Sequence, residues 1–290
     1  MNTRIILTGG PGAGKTTALA ELARRGHLIR PEAGRDIIRE EVRNGGDALP
    51  WKDATAYAAR MLDVSKQDYQ TGDSPFPVFF DRGIPDAVGY LRLIGQETAQ
   101  AAELPENYPY HPTVFLFPPW EAIYENDTER TQDFAEAVRT CDILSDLYRK
   151  WGYSCMEIPK VPVTERVDLL LELLRKQGMD TDTGFTILFF LEGSNADILE
   201  IKRNNPKSTD KKDIYQWLFF DREAGVLRPL SFVSMEAGPE QIRVFGEGVL
   251  RFGKRTGSWE SDGRSLPLHV PGLPRLSVSL RNQLKAFLLS

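Results

Sequence analysis

The chain has little cysteine: Cys141 and Cys155 are the only two in 290 residues. Two thiols are too few for a disulfide framework and lack zinc-ligand spacing, which excludes a stapled secreted scaffold and points to a reducing compartment. Long hydrophobic runs are also missing. No apolar stretch approaches the ~20 residues that a membrane helix needs. The first apolar run is short and leads straight into a glycine-rich segment, unlike a secretory signal. The expected location is cytoplasmic, with no membrane contact. A basic excess is lacking too, because the formal net charge is −5. Residues 1–178 balance at −6 and residues 179–290 at +1. Neither half carries the electrostatic footprint of a nucleic-acid binder. Internal repeats, low-complexity tracts and an Asn-Lys-x-Asp guanine-reading motif are likewise absent, so ATP is expected rather than GTP.

What is present is an ordinary globular composition, 41% hydrophobic and 27% charged, and one decisive string. Gly9-Gly10-Pro11-Gly12-Ala13-Gly14-Lys15-Thr16 follows the apolar run Ile5-Ile6-Leu7 and precedes a helical pattern from about Thr17. This is G-x-x-x-x-G-K-[ST] between a strand and a helix. Its glycines let the backbone wrap around phosphate with N–H groups inward, where side chains would obstruct. Lys15 is expected on the β- and γ-phosphates and the Thr16 hydroxyl on Mg²⁺. The positive end of the following helix dipole lies at the same place.

From residue 3 to about 177, short apolar strands alternate with longer helical periods, the mark of βαβ units and a parallel sheet covered on both faces. Strands are expected at 4–7, 27–30, 78–81, 113–117 and 154–158, and helices near 36–43, 53–69, 85–94, 133–151 and 163–174. The small, polar stretch at 177–184 then breaks the pattern. It sets an expected boundary between a domain at 1–178 and a smaller β-rich or α+β domain at 179–290. Strands are expected there at 185–191, 197–201, 215–220, 230–234, 242–245 and 276–279.

Val78-Phe79-Phe80-Asp81-Arg82-Gly83 ends an apolar strand in an acid. Ligands gather at the carboxyl ends of strands in a doubly wound sheet, so Asp81 is expected to serve Mg²⁺ or base chemistry. Arg82 stands where motor ATPases carry a water-polarising glutamate, which favours transfer to a bound acceptor. Glu32 ends the second strand; it is either an acceptor-side carboxylate or an acid at a helix N-terminus. Arg130 and Arg139 occupy the charged segment where a lid is expected, and guanidinium groups there would neutralise a transferring phosphoryl group. Asp197, Glu200 and Lys202 form an E-x-K pattern that chance produces often.

Taken together, residues 5–16, Pro31-Glu32-Ala33 with Arg35, 78–83 with Pro85, Asp86 and Tyr90, and 115–120 with Tyr124, Asp127 and Arg130 resemble a bacterial family of P-loop proteins. Its members are called AAA-type ATPase domains and look related to nicotinamide riboside kinases and deoxynucleoside kinases. The resemblance covers about residues 3–175. It implies a P-loop NTPase three-layer sandwich, ATP and Mg²⁺ as ligands, Glu32 or Asp81 as acceptor base, and Arg130 and Arg139 in the lid. The phosphate-contacting set is Gly9 to Thr17, with Thr16 and Asp81 on the metal. The acceptor expected is a small hydroxyl-bearing molecule. The alternative is a nucleotide-driven switch whose residues 179–290 bind a partner protein.

Overall fold

The computed structural model describes residues 2–96, 104–124, 133–192, 196–203, 214–230, 234–237, 241–245, 249–253, 258–261, 264–267 and 277–289. Two compact units divide the chain: Met1–Glu21 with Ile29–Thr181, and Leu22–Leu28 with Asp182–Ser290.

Strands β1 (Arg4–Gly9), β2 (Leu28–Arg30), β3 (Val78–Asp81), β4 (Thr113–Phe117) and β5 (Ser154–Glu157) form one sheet in the order β2-β3-β1-β4-β5. Every residue of β3 and β4 is buried, including Val78, Phe79, Phe80, Val114, Phe115 and Leu116. Continuous apolar strands of this kind are required when helices cover both faces of a parallel sheet. The register sets Leu7 of β1 beside Asp81 of β3 and Phe115 of β4, so the carboxyl ends of these strands open at one edge. Because β3 and β4 flank β1 on opposite sides, the segment leaving β1 lies at the switch point of the sheet.

The helices are α1 (Lys15–Arg24), α2 (Ala33–Asn44), α3 (Ala54–Thr71), α4 (Ile84–Leu93), α5 (Leu104–Asn107), α6 (Phe134–Lys150) and α7 (Val163–Lys176). Asp53 and Asp133 stand just outside α3 and α6, and their carboxylates accept from Ala56 N and Glu136 N. Such caps satisfy donors that the first turn leaves orphaned. In α6 the buried stripe is Ala137, Cys141, Leu144, Leu147 and Tyr148, while Val138 stays 37% exposed. Cys141 to Tyr148 keeps the i, i+3, i+7 spacing of a core face. Gly89 lets α4 approach it, since a Cβ there would lie 2.5 Å from a Leu144 methyl.

The second unit is antiparallel. Strands β6 (Phe185–Glu192), β7 (Ala196–Arg203), β8 (Ile214–Asp221) and β9 (Val226–Leu230) pair in sequence order. Strands β10 (Ser234–Ala237), β11 (Gln241–Phe245), β12 (Val249–Gly253), β13 (Ser258–Ser261) and β14 (Arg264–Pro267) make a second meander. The β-rich expectation holds, with two corrections. Residues 230 and 234 belong to different strands, the end of β9 and the start of β10, with 231–233 outside the described residues. Ser277 to Ser279 is not a strand: helix α8 (Val278–Leu289) starts there, and Leu280 and Leu284, four apart, are fully buried. The short alternation Leu276-Ser277-Val278-Ser279 imitates period 2, whereas the helical period shows only from Val278 onward.

Candidate active site

The loop after β1 takes a backbone that only glycine reaches comfortably. Gly9, Gly12 and Gly14 have φ of 130°, 73° and 83°. A Cβ on Gly9 would lie 2.2 Å from the Phe117 carbonyl oxygen, and one on Gly10 2.3 Å from that of Ala137. The loop therefore runs against the backbones of β4 and α6 with no room for side chains. Lys15 is buried and donates to Gly10 O at 2.9 Å and to Gly9 O at 3.4 Å. Burial lowers its ammonium to about 8, helped by Arg82 and opposed by Asp81, Glu32 and Asp86. Pro11, Gly12 and Ala13 complete the turn, and Thr16 and Thr17 are exposed at the start of α1.

Across the loop, Thr16 Oγ1 donates to Asp81 Oδ2 at 3.0 Å. Burial raises Asp81 to about 6, with Lys15 opposing and Glu32 adding to the rise. Its second oxygen, Oδ1, is buried with no hydrogen-bond partner. A hard cation that takes one or two protein oxygens plus phosphate oxygens suits this pair of groups. Among the described residues no cluster of three or more His, Cys, Asp or Glu side chains suitable for a metal occurs.

Arg82 links this side to Glu32. Its Nε donates to Glu32 Oε1 at 2.9 Å, and its Nη1 donates to Gly9 O at 3.0 Å and to Asp86 Oδ1 at 3.2 Å. Burial pushes the Glu32 carboxyl up, but Arg82 and Lys15 outweigh it and hold the group below the usual carboxylate range. Arg35, half-buried one helical turn on, adds to that positive field. The ion pairs push the Arg82 guanidinium further up despite burial, so it is a permanent cation. A narrow cleft opens beside these groups, lined by Glu32, Phe80, Asp81, Arg82, Asp86 and Tyr110 among others.

The structure brings Lys15, Thr16, Asp81 and Glu32 to one edge of the sheet. The Arg139 side chain lies exposed on α6. Arg130 falls outside the described residues. Asp197 is engaged by Arg222 through both carboxylate oxygens at 3.0 Å.

Two participants went unread in the sequence. Asp86 stood in the sequence only among the residues that carry the family resemblance, with no role of its own, yet it accepts from Thr8 and Tyr148 as well as Arg82. Arg166, in the first turn of α7, is buried, donates to Ala13 O at 3.4 Å and lies 5.4 Å over the Trp120 ring. Nothing local in Val163-Thr164-Glu165-Arg166 signals a contact across about 150 positions.

Comparison with known proteins accords with this arrangement. The profile described as AAA domain matches residues 4–166. No curated protein is significantly similar to the chain. Deoxyadenosine kinase from M. mycoides, solved with products dCMP and a flexible dCDP bound, is similar at 13% identity. The alignment covers 60% of this chain and 99% of that one, with a TM-score of 0.41. Shikimate kinase from Acinetobacter baumannii in complex with shikimate is 17% identical over 62% of this chain and 97% of that one, with a TM-score of 0.42. Since the matched profile spans more than half of the chain and includes the phosphate loop, the β3 acid and the sheet that carries both, the chain belongs to the AAA domain family.

Proposed function

We propose that the protein transfers the γ-phosphoryl group of ATP to a small hydroxyl-bearing acceptor held in the cleft beside Glu32. The carrying observation is the placement of two cleft-lining carboxylates with different partners at the same edge of the sheet. Asp81 bonds Thr16 of the loop, whereas Glu32 bonds Arg82. This division of labour suits phosphoryl transfer, in which catalysis is mostly positioning and charge neutralisation.

Thr16 and Asp81 are the groups that would hold Mg²⁺, whose bound form neutralises charge on the β- and γ-phosphates. Lys15 must leave the Gly9 and Gly10 carbonyls to meet the phosphates, exchanging neutral acceptors for anionic ones. Glu32, kept ionised by Arg82, accepts a hydrogen bond from the acceptor hydroxyl and takes its proton as the hydroxyl oxygen bonds the γ-phosphorus and the bond from that phosphorus to the β,γ-bridging oxygen breaks, releasing ADP. Arg82 neutralises Glu32 and closes the cleft toward the loop through Gly9 O. Arg130 and Arg139 are proposed to add positive charge from the lid side. Residues 179–290 are proposed as an accessory domain that contacts a partner protein.

The test is incubation with γ-labelled ATP, Mg²⁺ and a pool of nucleosides, vitamins and sugars, with Lys15→Ala and Asp81→Asn as controls. A labelled acceptor that disappears in both variants supports the reading. Nucleotide binding with no labelled acceptor, together with ATP-dependent recruitment of a protein, overturns it in favour of a switch.

A further inference from the structure

Asp86 is 4% exposed, a buried acid at the first turn of α4. Its Oδ1 accepts from Thr8 Oγ1 at 2.6 Å and from Arg82 Nη1 at 3.2 Å. Its Oδ2 accepts from Gly83 N at 3.0 Å and from Tyr148 OH at 2.6 Å. Four donors saturate the roughly four lone-pair sites of a carboxylate, so no capacity remains for a substrate hydroxyl. The donors come from β1, the β3–α4 junction and α6. A buried charge held in this way is rigid, because moving it would strand several donors at once.

Arg82 needs such an anchor. It has φ of 74°, the left-handed region, which a non-glycine residue adopts only at a cost. Its amide donates to Leu7 O at 3.0 Å, and the turn aims the guanidinium between Glu32 on one side and Asp86 on the other. One planar group thus spans both carboxylates. Fixing one edge of the plane fixes where the other edge holds Glu32.

We propose that Asp86 is a positioning residue for phosphoryl transfer: locked by Thr8, Gly83 and Tyr148, it sets the plane of Arg82 and thereby the place of the Glu32 carboxylate in the acceptor cleft. This rests on the phosphoryl-transfer reading above. Through Tyr148, which is fully buried, the same lock extends to α6. The charged and titratable groups that face Glu32 are Arg82, Lys15, Arg35, Asp81 and Tyr57, and none of them is altered in the test.

Asp86→Asn keeps the shape but cannot accept from both Gly83 N and Tyr148 OH on its amide nitrogen. The Glu32 carboxyl is followed by ¹³C NMR against pH, assigned with Glu32→Gln. The expected result is a Glu32 midpoint raised by about one pH unit, because a loosened Arg82 no longer favours the ionised form. With the acceptor that the labelling screen identifies, kcat falls about 10- to 100-fold and its acid limb moves to higher pH, while KM for ATP changes less than about threefold. Tyr148→Phe removes one donor and keeps the charge; it moves both readouts the same way by less, and it decides the matter if Asp86→Asn does not fold. A folded variant with an unmoved Glu32 midpoint overturns the inference, whatever happens to kcat. Absence of any labelled acceptor with the native protein overturns the functional reading instead, and the NMR midpoint tells the two failures apart.

Discussion

Nucleotide binding is expected to take up a proton at alkaline pH, and the quantity can be worked from Lys15. The free ammonium is buried on two carbonyl oxygens beside Arg82 and titrates at about 8. Phosphate oxygens replace those neutral acceptors on binding and return the group to the ordinary range near 10.5. Above about pH 8 the free protein must then be reprotonated to bind, and Kd for ADP should rise roughly 40-fold between about pH 8 and pH 10, about 2 kcal/mol. At about pH 9 the complex should gain roughly 0.9 proton. The sign follows from the depressed value: the bound state holds more protons than the free one, so affinity falls as pH rises. Calorimetry of ADP binding in buffers of different ionisation enthalpy measures the uptake directly. Tyr57, Tyr110 and Tyr148 do not confuse it, since burial pushes all three above the ordinary tyrosine range. An uptake below roughly 0.2 proton, with Kd flat within about threefold over the same range, would refute the linkage.

Three further outcomes follow from local geometry. Gly9→Ala places a Cβ against the Phe117 carbonyl at φ of 130°, so it should cost at least about 3 kcal/mol in urea unfolding and abolish nucleotide binding; unchanged stability would contradict the close approach. Arg166→Ala removes the stack on Trp120 and the donor to Ala13 O, and should weaken ADP binding about 3- to 10-fold in a fluorescence titration. Asp197→Ala strands Arg222, whose side chain is 30% exposed, and should lower stability by about 2–3 kcal/mol in a thermal melt while ADP affinity stays within about twofold.

How much of this was legible before folding differs from residue to residue. The loop at Gly9 to Thr16 was readable because its chemistry is contained in eight consecutive residues and a strand-to-helix context. Asp81 was readable because a strand with no polar residue before its last position can only be central, and its last residue must then lie at the ligand edge. Glu32 was readable only as two alternatives; its bond to Arg82 spans 50 positions and favours the cleft. Asp86, Thr8 and Tyr148 were not readable as a unit. Their hydrogen bonds join residues 78 and 62 positions apart, and each residue alone has an ordinary local explanation. On α6 the core face takes Ala137 rather than the bulkier Val138, because the small residue can lie close to a neighbour such as Gly10, a preference that no local pattern of bulky residues shows.

The sequence by itself determined the parallel sheet, the phosphate loop, the acid at the end of β3 and the change to a β-rich pattern after about residue 178. Each is a property of short-range spacing: glycines where φ is positive, unbroken apolar strands, period 3.6 giving way to period 2. Only the tertiary structure decided which acid does what. Asp81 is left with one unpartnered oxygen beside Thr16, Glu32 is held by Arg82 over the cleft, and Asp86 is saturated by donors from three elements. The roles of three similar carboxylates are set by burial and by the charges that folding brings within a few ångströms, and neither is written in local sequence.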